Sequence, residues 1–194
     1  MSTRQIKTAT QKDVDSCVAV IVLGFSGDPG VRWMYPDPHQ YLENFPHFVR
    51  AFAGSAFEHG SAHYVEGFFA AALWLPPGIQ PDEEAMSRLV ENAVPASDRE
   101  TVFALFEQMG GYHPSEPHWH LPLIGTDPKQ HGKGYGSALL RHALAVCDRQ
   151  QKPAYLEATS ERSVPLYQRH GFEVLGTIQA GTSPPIIPML RKPR

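Results

Sequence analysis

The sequence predicts a single α/β domain of mixed α+β type, a central sheet with flanking helices, and three observations carry that prediction. The chain has 194 residues, of which 42% are hydrophobic and 19% charged, which suits one packed globule rather than a disordered chain or two full domains. From Trp119 onward the order reads strand, glycine loop, helix, strand, helix, strand, strand. A strand–helix–strand crossover of this kind requires at least one parallel strand pair.

The elements follow in order. Arg4 to Ala9 reads as a short first strand. Thr10-x-x-Asp13 resembles a capping box with Asp in place of Glu, and Val14, Cys17, Val18 and Ile21 then keep helical spacing. Gly24 or Gly27 ends that helix. Asp28 to Pro38 is rich in turn formers and reads as a loop carrying Trp33, Met34 and Tyr35. A second helix runs from about His39 to Ala53. Ser61 to Glu66 and Phe68 to Leu75, separated by Gly67, read as a β-hairpin that Pro76-Pro77-Gly78 stops. Asp82 to Asn92 and Ser97 to Met109 read as amphipathic helices, closed by Gly110-Gly111 and by Pro114 to Pro117. Trp119 to Thr126 is a strand in which Pro122 signals an edge or a bulge. Gly136 to Arg149 is a strong helix with Leu139, Leu140, Ala143, Leu144 and Cys147 on one apolar face. Ala154 to Thr159 is a strand, Ser163 to His170 a short helix ended by Gly171, and Phe172 to Ile178 and Ile186 to Arg191 are the last strands.

Composition removes several function classes. The formal net charge is -3 with no long run of like charge, so no nucleic-acid partner is expected. The longest apolar run, Phe68 to Leu75, falls far short of the roughly 20 residues of a membrane-spanning helix, so no membrane partner is expected. The first residues show no apolar leader, and the expected location is cytoplasmic. Cys17 and Cys147 occupy apolar helix positions and read as buried reduced thiols; a disulfide or a catalytic thiol has less support. His118 and His120 face the same side of a strand, but no third ligand stands at a helpful spacing, so no metal is expected.

The chemistry centres on Gly132, Gly134 and Gly136, which alternate between a strand and a helix. Glycines let successive N–H groups converge on one anion, and the helix start adds unpaired N–H groups and partial positive charge. Lys133 adds a full charge. The loop reads as a diphosphate cradle, or else as a tight turn without a ligand. It lacks Gly-x-x-x-x-Gly-Lys-Ser/Thr and Gly-x-Gly-x-x-Gly, and it lies in the last third of the chain, which argues against a nucleotide P-loop or a dinucleotide fold.

Gly125-Thr-Asp-Pro-Lys-Gln-His-Gly-Lys-Gly-Tyr-Gly-Ser-Ala-Leu-Leu resembles the acetyl-coenzyme A motif of the GNAT superfamily of N-acetyltransferases. Ser163-Val-Pro-Leu-Tyr-Gln-Arg-His-Gly-Phe resembles that family's second signature. The C-terminal half is most similar to puromycin N-acetyltransferase and its relatives, through Glu116-Pro-His-Trp, Pro153-Ala-Tyr-Leu-Glu and Met189-Leu-Arg-Lys-Pro. The resemblance implies a twisted, mostly antiparallel sheet with a splayed parallel strand pair. It implies one acetyltransferase domain over 1–194, with a helical insert at 81–117 and a cofactor-binding core at 119–178. It implies acetyl-coenzyme A as co-substrate, held by Ile124, Gly125, Thr126, His131, Gly132, Lys133, Gly134, Tyr135, Gly136, Ser137, Ser163, Leu166 and Tyr167. The sequence departs from the family at His131, where Arg or Gln is usual, and at Ser163, where Asn is common.

By the same resemblance, backbone N–H groups near Leu123 to Thr126 receive the oxyanion and Tyr167 is the general acid. An attacking amine must be neutral, and a lysine-like amine has a pKa of about 10.4, so a base or a desolvating pocket is needed. His120 and Glu157 are rival bases, and a water chain is a third route. Trp33, Tyr35, Trp74 and Trp119 are candidate walls of the acceptor pocket, although such aromatics also build cores. The resulting expectation is transfer of acetyl from acetyl-coenzyme A to a primary amine of a small molecule or peptide, by direct attack in a ternary complex. The alternative is a non-catalytic acyl-coenzyme A binding or sensing module on the same fold. Edge strands near the C-terminus leave room for a homodimer.

Overall fold

The computed structural model describes residues 5–194. Its strands are β1 (Ile6–Thr8), β2 (Ala62–Val65), β3 (Ala70–Leu75), β4 (Trp119–Thr126), β5 (Ala154–Ala158), β6 (Glu173–Val174) and β7 (Ile187–Arg191). Its helices are α1 (Val14–Gly24), α2 (Pro29–Met34), α3 (Pro38–Ala53), α4 (Ser55–Glu58), α5 (Glu83–Ala93), α6 (Ala96–Tyr112), α7 (Tyr135–Arg149) and α8 (Val164–Arg169). The strands form one open sheet in the order β1-β2-β3-β4-β5-β7-β6. Neighbours are antiparallel except β4 and β5. This is the mixed, mostly antiparallel sheet with one parallel pair that the resemblance implies.

Side-chain alternation on the sheet builds two cores. Ala70, Ala72 and Trp74 of β3 pack with Leu139, Leu140, Ala143, Leu144 and Cys147 of α7. Ala71, Leu73 and Leu75 face the other way, toward Cys17, Val18 and Ile21 of α1 and the aromatic stripe of α3. Cys17 and Cys147 are buried free thiols, one in each core, and burial pushes each up to about 12. They remain protonated at neutral pH.

Two features of β4 open the sheet at its centre. The β3–β4 register slips between Leu73↔Leu123 and Leu75↔His120, so β4 carries one extra residue around Pro122. Proline has no N–H to give a ladder, and the bulge absorbs this. Pro122 therefore marks a bulge in a central strand rather than an edge. Pairing with β5 covers only Trp119 to Leu121 against Ala154 to Leu156. Beyond it the two strands diverge, as the expected splayed pair does.

Three local expectations are corrected. The region 28–38 is not all loop: α2 starts at Pro29 because Asp28 accepts the Val31 N–H at 3.0 Å and proline suits the first helical position. Gly110 and Gly111 do not end the second insert helix; α6 continues through them to Tyr112, which sets His113 at its C-cap. The strand expected over 172–178 shrinks to Glu173–Val174, followed by one bridge between Ile178 and Ile186. The first strand is shorter than read, and Arg4 lies outside the described residues. The Thr10/Asp13 cap is present: the Asp13 carboxylate accepts the Thr10 N–H at 2.8 Å and its hydroxyl at 2.7 Å.

Candidate active site

The glycine loop leads into α7 without a side-chain cap. Gly132 and Gly134 have φ of 77° and 79°, the left-handed region that side chains strain to adopt, and a Cβ on either would project into open space. Gly134 is the N-cap of α7. The first-turn N–H groups of Tyr135, Gly136 and Ser137 therefore have no intrahelical partner. They line a cleft of about 820 Å³ between the C-terminal end of β4 and α8. Phe25 to Asp28 close its other side.

The cleft brings together nearly all the predicted cofactor residues. Ile124, Gly125, Thr126, His131, Gly132, Gly134, Tyr135, Gly136, Ser137, Ser163, Leu166 and Tyr167 all line it. Lys133 does not; its ammonium turns back to the Gln130 side-chain oxygen at 2.7 Å. His131 places Nε2 3.3 Å from the Thr126 carbonyl. Ser137 bridges Arg141, which donates at 2.8 Å, and His170 Nε2 at 2.7 Å. Two cations missed in the sequence, Arg162 and Arg169, also line the cleft. Their signal was present in the sequence, Arg162 just before the second signature and Arg169 within it.

Tyr167 is buried at the inner end. Burial pushes its hydroxyl up to about 12, against a smaller opposing effect of Ser163. The phenol is thus a proton donor throughout the neutral range. Tyr167, Phe25, Ile124 and Thr159 line both this cleft and a second, apolar cavity of about 80 Å³. Phe45, Phe48 and Phe52 recur at helical spacing along α3 and form one wall of it, with Trp33, Phe106 and Met109 opposite. The inner cavity shares Phe52, Phe106, Met109 and Glu157 with an outer cavity of about 590 Å³, beneath α5 and α6.

His120 and Glu157, read as rivals, are partners. The parallel register sets His120 beside Tyr155, and Glu157 lies two residues on, on the same face of β5. His120 Nε2 stands 2.9 Å from Glu157 Oε2, and both side chains are almost fully buried. His113, delivered by the extra turn of α6, places Nε2 3.2 Å from Glu157 Oε1. Oε1 is buried without a well-aligned hydrogen bond. Burial alone would raise this carboxyl; His120 and His113 outweigh it and hold it at about 2.

Hydrogen-bond accounting extends the chain outward. His118 Nδ1 lies 2.8 Å from the Glu116 carbonyl, which only accepts, so Nδ1 carries a hydrogen. Burial lowers the His118 imidazole below its ordinary value, which favours the neutral ring and leaves Nε2 as an acceptor. His113 Nδ1, 3.1 Å away, then donates to it. His113 consequently turns Nε2 toward Glu157, and a proton or another cation is needed between two electron-rich atoms. His118, read as a strand residue with His120 and with no metal expected, lies just before β4. His113, His120 and Glu157 offer ligand atoms within 4.8 Å of one another, a set that spacing along one strand concealed.

The aromatic candidates separate. Trp33 lines the inner cavity, with its indole N–H on the Thr182 hydroxyl at 3.2 Å. Trp74 is fully buried on the α7 face of the sheet, away from both cavities. Trp119 packs against that same core and donates to the Gln150 side chain at 2.9 Å. Tyr35 is fully buried in the α1/α3 core. Strand alternation and core packing place these last three outside the cavities; the aromatic wall comes from α3 and α6.

Comparison with known proteins agrees with this geometry. Residues 81–172 match the sequence model of the Acetyltransferase (GNAT) family. A histone acetyltransferase HPA2 and related acetyltransferase of Corynebacterium glutamicum has 28% identity, with 99% of this chain and 97% of that chain covered and a TM-score of 0.69. A Drosophila melanogaster polyamine N-acetyltransferase, which forms N-acetylagmatine, shares the fold at 14% identity, with 98% and 100% covered and a TM-score of 0.69. An uncharacterized N-acetyltransferase of Schizosaccharomyces pombe is 22% identical over 186 residues, 86% of this chain and 73% of that protein. The fold of the whole chain is thus that of the GNAT acetyltransferases, and residues 81–172 match that family's sequence model.

Proposed function

We propose that the protein moves an acetyl group from acetyl-coenzyme A to a primary amine by direct attack in a ternary complex. The observation that carries this reading is the shared wall. Tyr167 lines the cofactor cleft and the inner cavity, and Glu157 lines the inner and outer cavities. A thioester entering from one side and an amine from the other meet at the divergence of β4 and β5.

The loop and the first turn of α7 supply backbone donors for the diphosphate, with Arg162 and Arg169 at the same cleft. Backbone N–H groups of β4 beyond Leu121 lie outside the β5 ladder and face developing negative charge on the carbonyl oxygen. The amine enters through the outer cavity, where Glu83 and Glu107 favour a cation. Phe48, Phe52, Phe106 and Met109 favour an apolar group next to the amine. Glu157, held near 2, is a poor proton acceptor but a strong cation anchor that fixes two imidazoles. His120, hydrogen-bonded to Glu157 at 2.9 Å, takes the amine proton and Glu157 positions it. The amine nitrogen bonds to the acetyl carbon, the C–S bond breaks, and Tyr167 gives its proton to the departing sulfur.

The likeness to puromycin N-acetyltransferases rests on segments beside the β4 start and in β5 and β7, not on the cavity walls, and does not recommend puromycin as acceptor. A cytoplasmic location fits the use of acetyl-coenzyme A. The test is calorimetric titration of acetyl-coenzyme A, followed by thiol release from a panel of alkyl, arylalkyl and peptide amines. Micromolar binding with release from an apolar primary amine supports the reading. Binding with no release from any amine favours the non-catalytic module.

A further inference from the structure

We propose that His113, His120 and Glu157 form a binding site for a divalent transition-metal ion of the zinc class, and that the ion blocks the acceptor side. The three residues come from the end of α6, from β4 and from β5, so the fold and not a local motif assembles them. Two contacts are already near the spacing of a coordination shell: His113 Nε2 to Oε1 is 3.2 Å and His120 Nε2 to Oε2 is 2.9 Å. Bonds of about 2.1 Å in a tetrahedron put ligands about 3.4 Å apart, so all three atoms, now within 4.8 Å, reach one ion by a small inward shift.

Two further observations point to a cation. Glu157 Oε1 is buried and makes no well-aligned hydrogen bond, its nearest imidazole nitrogen being His113 Nε2 at 3.2 Å, so the carboxylate is incompletely satisfied inside the cluster. The His118 ring fixes the His113 tautomer through Nδ1 at 3.1 Å and so directs the Nε2 lone pair at that carboxylate. An imidazole held through its other nitrogen is the usual outer support of a metal ligand. Two nitrogens and one carboxylate, with the outer cavity left for a water, suit Zn²⁺ better than Mg²⁺ or Ca²⁺. An ion here occupies His120 and Glu157 and displaces the amine; this inhibitory consequence rests on the proposed function, whereas the site itself does not.

The experiment titrates ZnCl₂ into the full chain by calorimetry in a non-chelating buffer, with Co²⁺ absorption in parallel. The expected result is one ion per chain with micromolar or tighter affinity. Visible Co²⁺ bands and protection of His113 and His120 from diethylpyrocarbonate labelling accompany it. His113→Ala abolishes this binding, and His118→Ala weakens it about tenfold. Labelling of the unsubstituted protein gives the same answer if a variant does not fold. Absence of binding at millimolar Zn²⁺, binding that survives in His113→Ala, or protection confined to other histidines each overturns the site. If binding is seen without any acetyl transfer, the enzyme reading fails while the metal site stands. Transfer inhibited by Zn²⁺ competitively with the amine supports both.

Discussion

The two sides of the central divergence are built by different means. The proposed coenzyme side is backbone: positive-φ glycines, the first turn of α7 and the stretch of β4 that has left the β5 ladder. The acceptor side is side chains gathered from afar: Phe52 from α3, Phe106 and His113 from α6 and its end, His120 from β4 and Glu157 from β5. A backbone site needs glycines at fixed spacing in one segment, whereas a side-chain site needs a whole fold. Coenzyme recognition should therefore be brittle to single loop changes, and acceptor recognition should change by degrees as its walls change.

The largest effect is expected on the coenzyme side. Gly134→Glu sets a side chain on a left-handed residue and an anion in the phosphate path, and acetyl-coenzyme A binding should fall at least about 100-fold by calorimetry, while thermal melting shows a folded chain. Retained micromolar affinity would break the contrast, because the loop would then be only a turn. Next comes Glu157→Gln, which removes the charge that fixes His120 and His113. Turnover should drop on the order of 10- to 100-fold with coenzyme affinity unchanged, and the pH–rate profile should move. An unmoved profile would reduce Glu157 to a packing residue.

A smaller change is expected from Phe106→Ala, which widens the inner cavity. The Michaelis constant for apolar amines should rise about 5- to 30-fold, as a loss of about 1–2 kcal/mol of contact implies, with kcat little changed. The last prediction concerns stability rather than turnover and rests on the buried His63. His63 packs against His142 on the α7 face, and burial first, His142 second, pull its imidazole down to about 4. A depressed imidazole is neutral in the folded chain, so its contribution is intact above the unfolded pKa of about 6.5 and is lost as pH falls through about 4. Denaturant midpoints should show about 2–3 kcal/mol lost between pH 7 and pH 4.5 that His63→Gln does not lose. Identical profiles would mean that water reaches His63.

What the sequence revealed divides along the same line. The glycine loop and the α7 face were legible because each lies in one continuous segment with its own period or spacing, whereas Tyr167 was named only through the family resemblance of its segment. Pro122 announced an edge or a bulge for the same reason, and the register decides for the bulge. The partnership of His120 and Glu157 was not legible, because it depends on the β4–β5 register. His113 was hidden by Gly110-Gly111, which read as a stop although helix packing carries α6 past them. Three histidines at 113, 118 and 120 before a strand were the available signal, but their order along the chain gives neither the carboxylate nor the geometry. Trp74, Trp119 and Tyr35 show the converse: aromatic character marks burial well and a ligand wall poorly.

The central claim is that coenzyme cleft and amine cavity meet at Tyr167. Tyr167→Phe measures it most directly, by following thiol release with a responsive amine and coenzyme binding by calorimetry. On the proposed mechanism the phenol gives its proton to the leaving sulfur, so turnover should fall about 100-fold or more while acetyl-coenzyme A affinity stays within about twofold. Equal turnover in the two proteins would contradict the account.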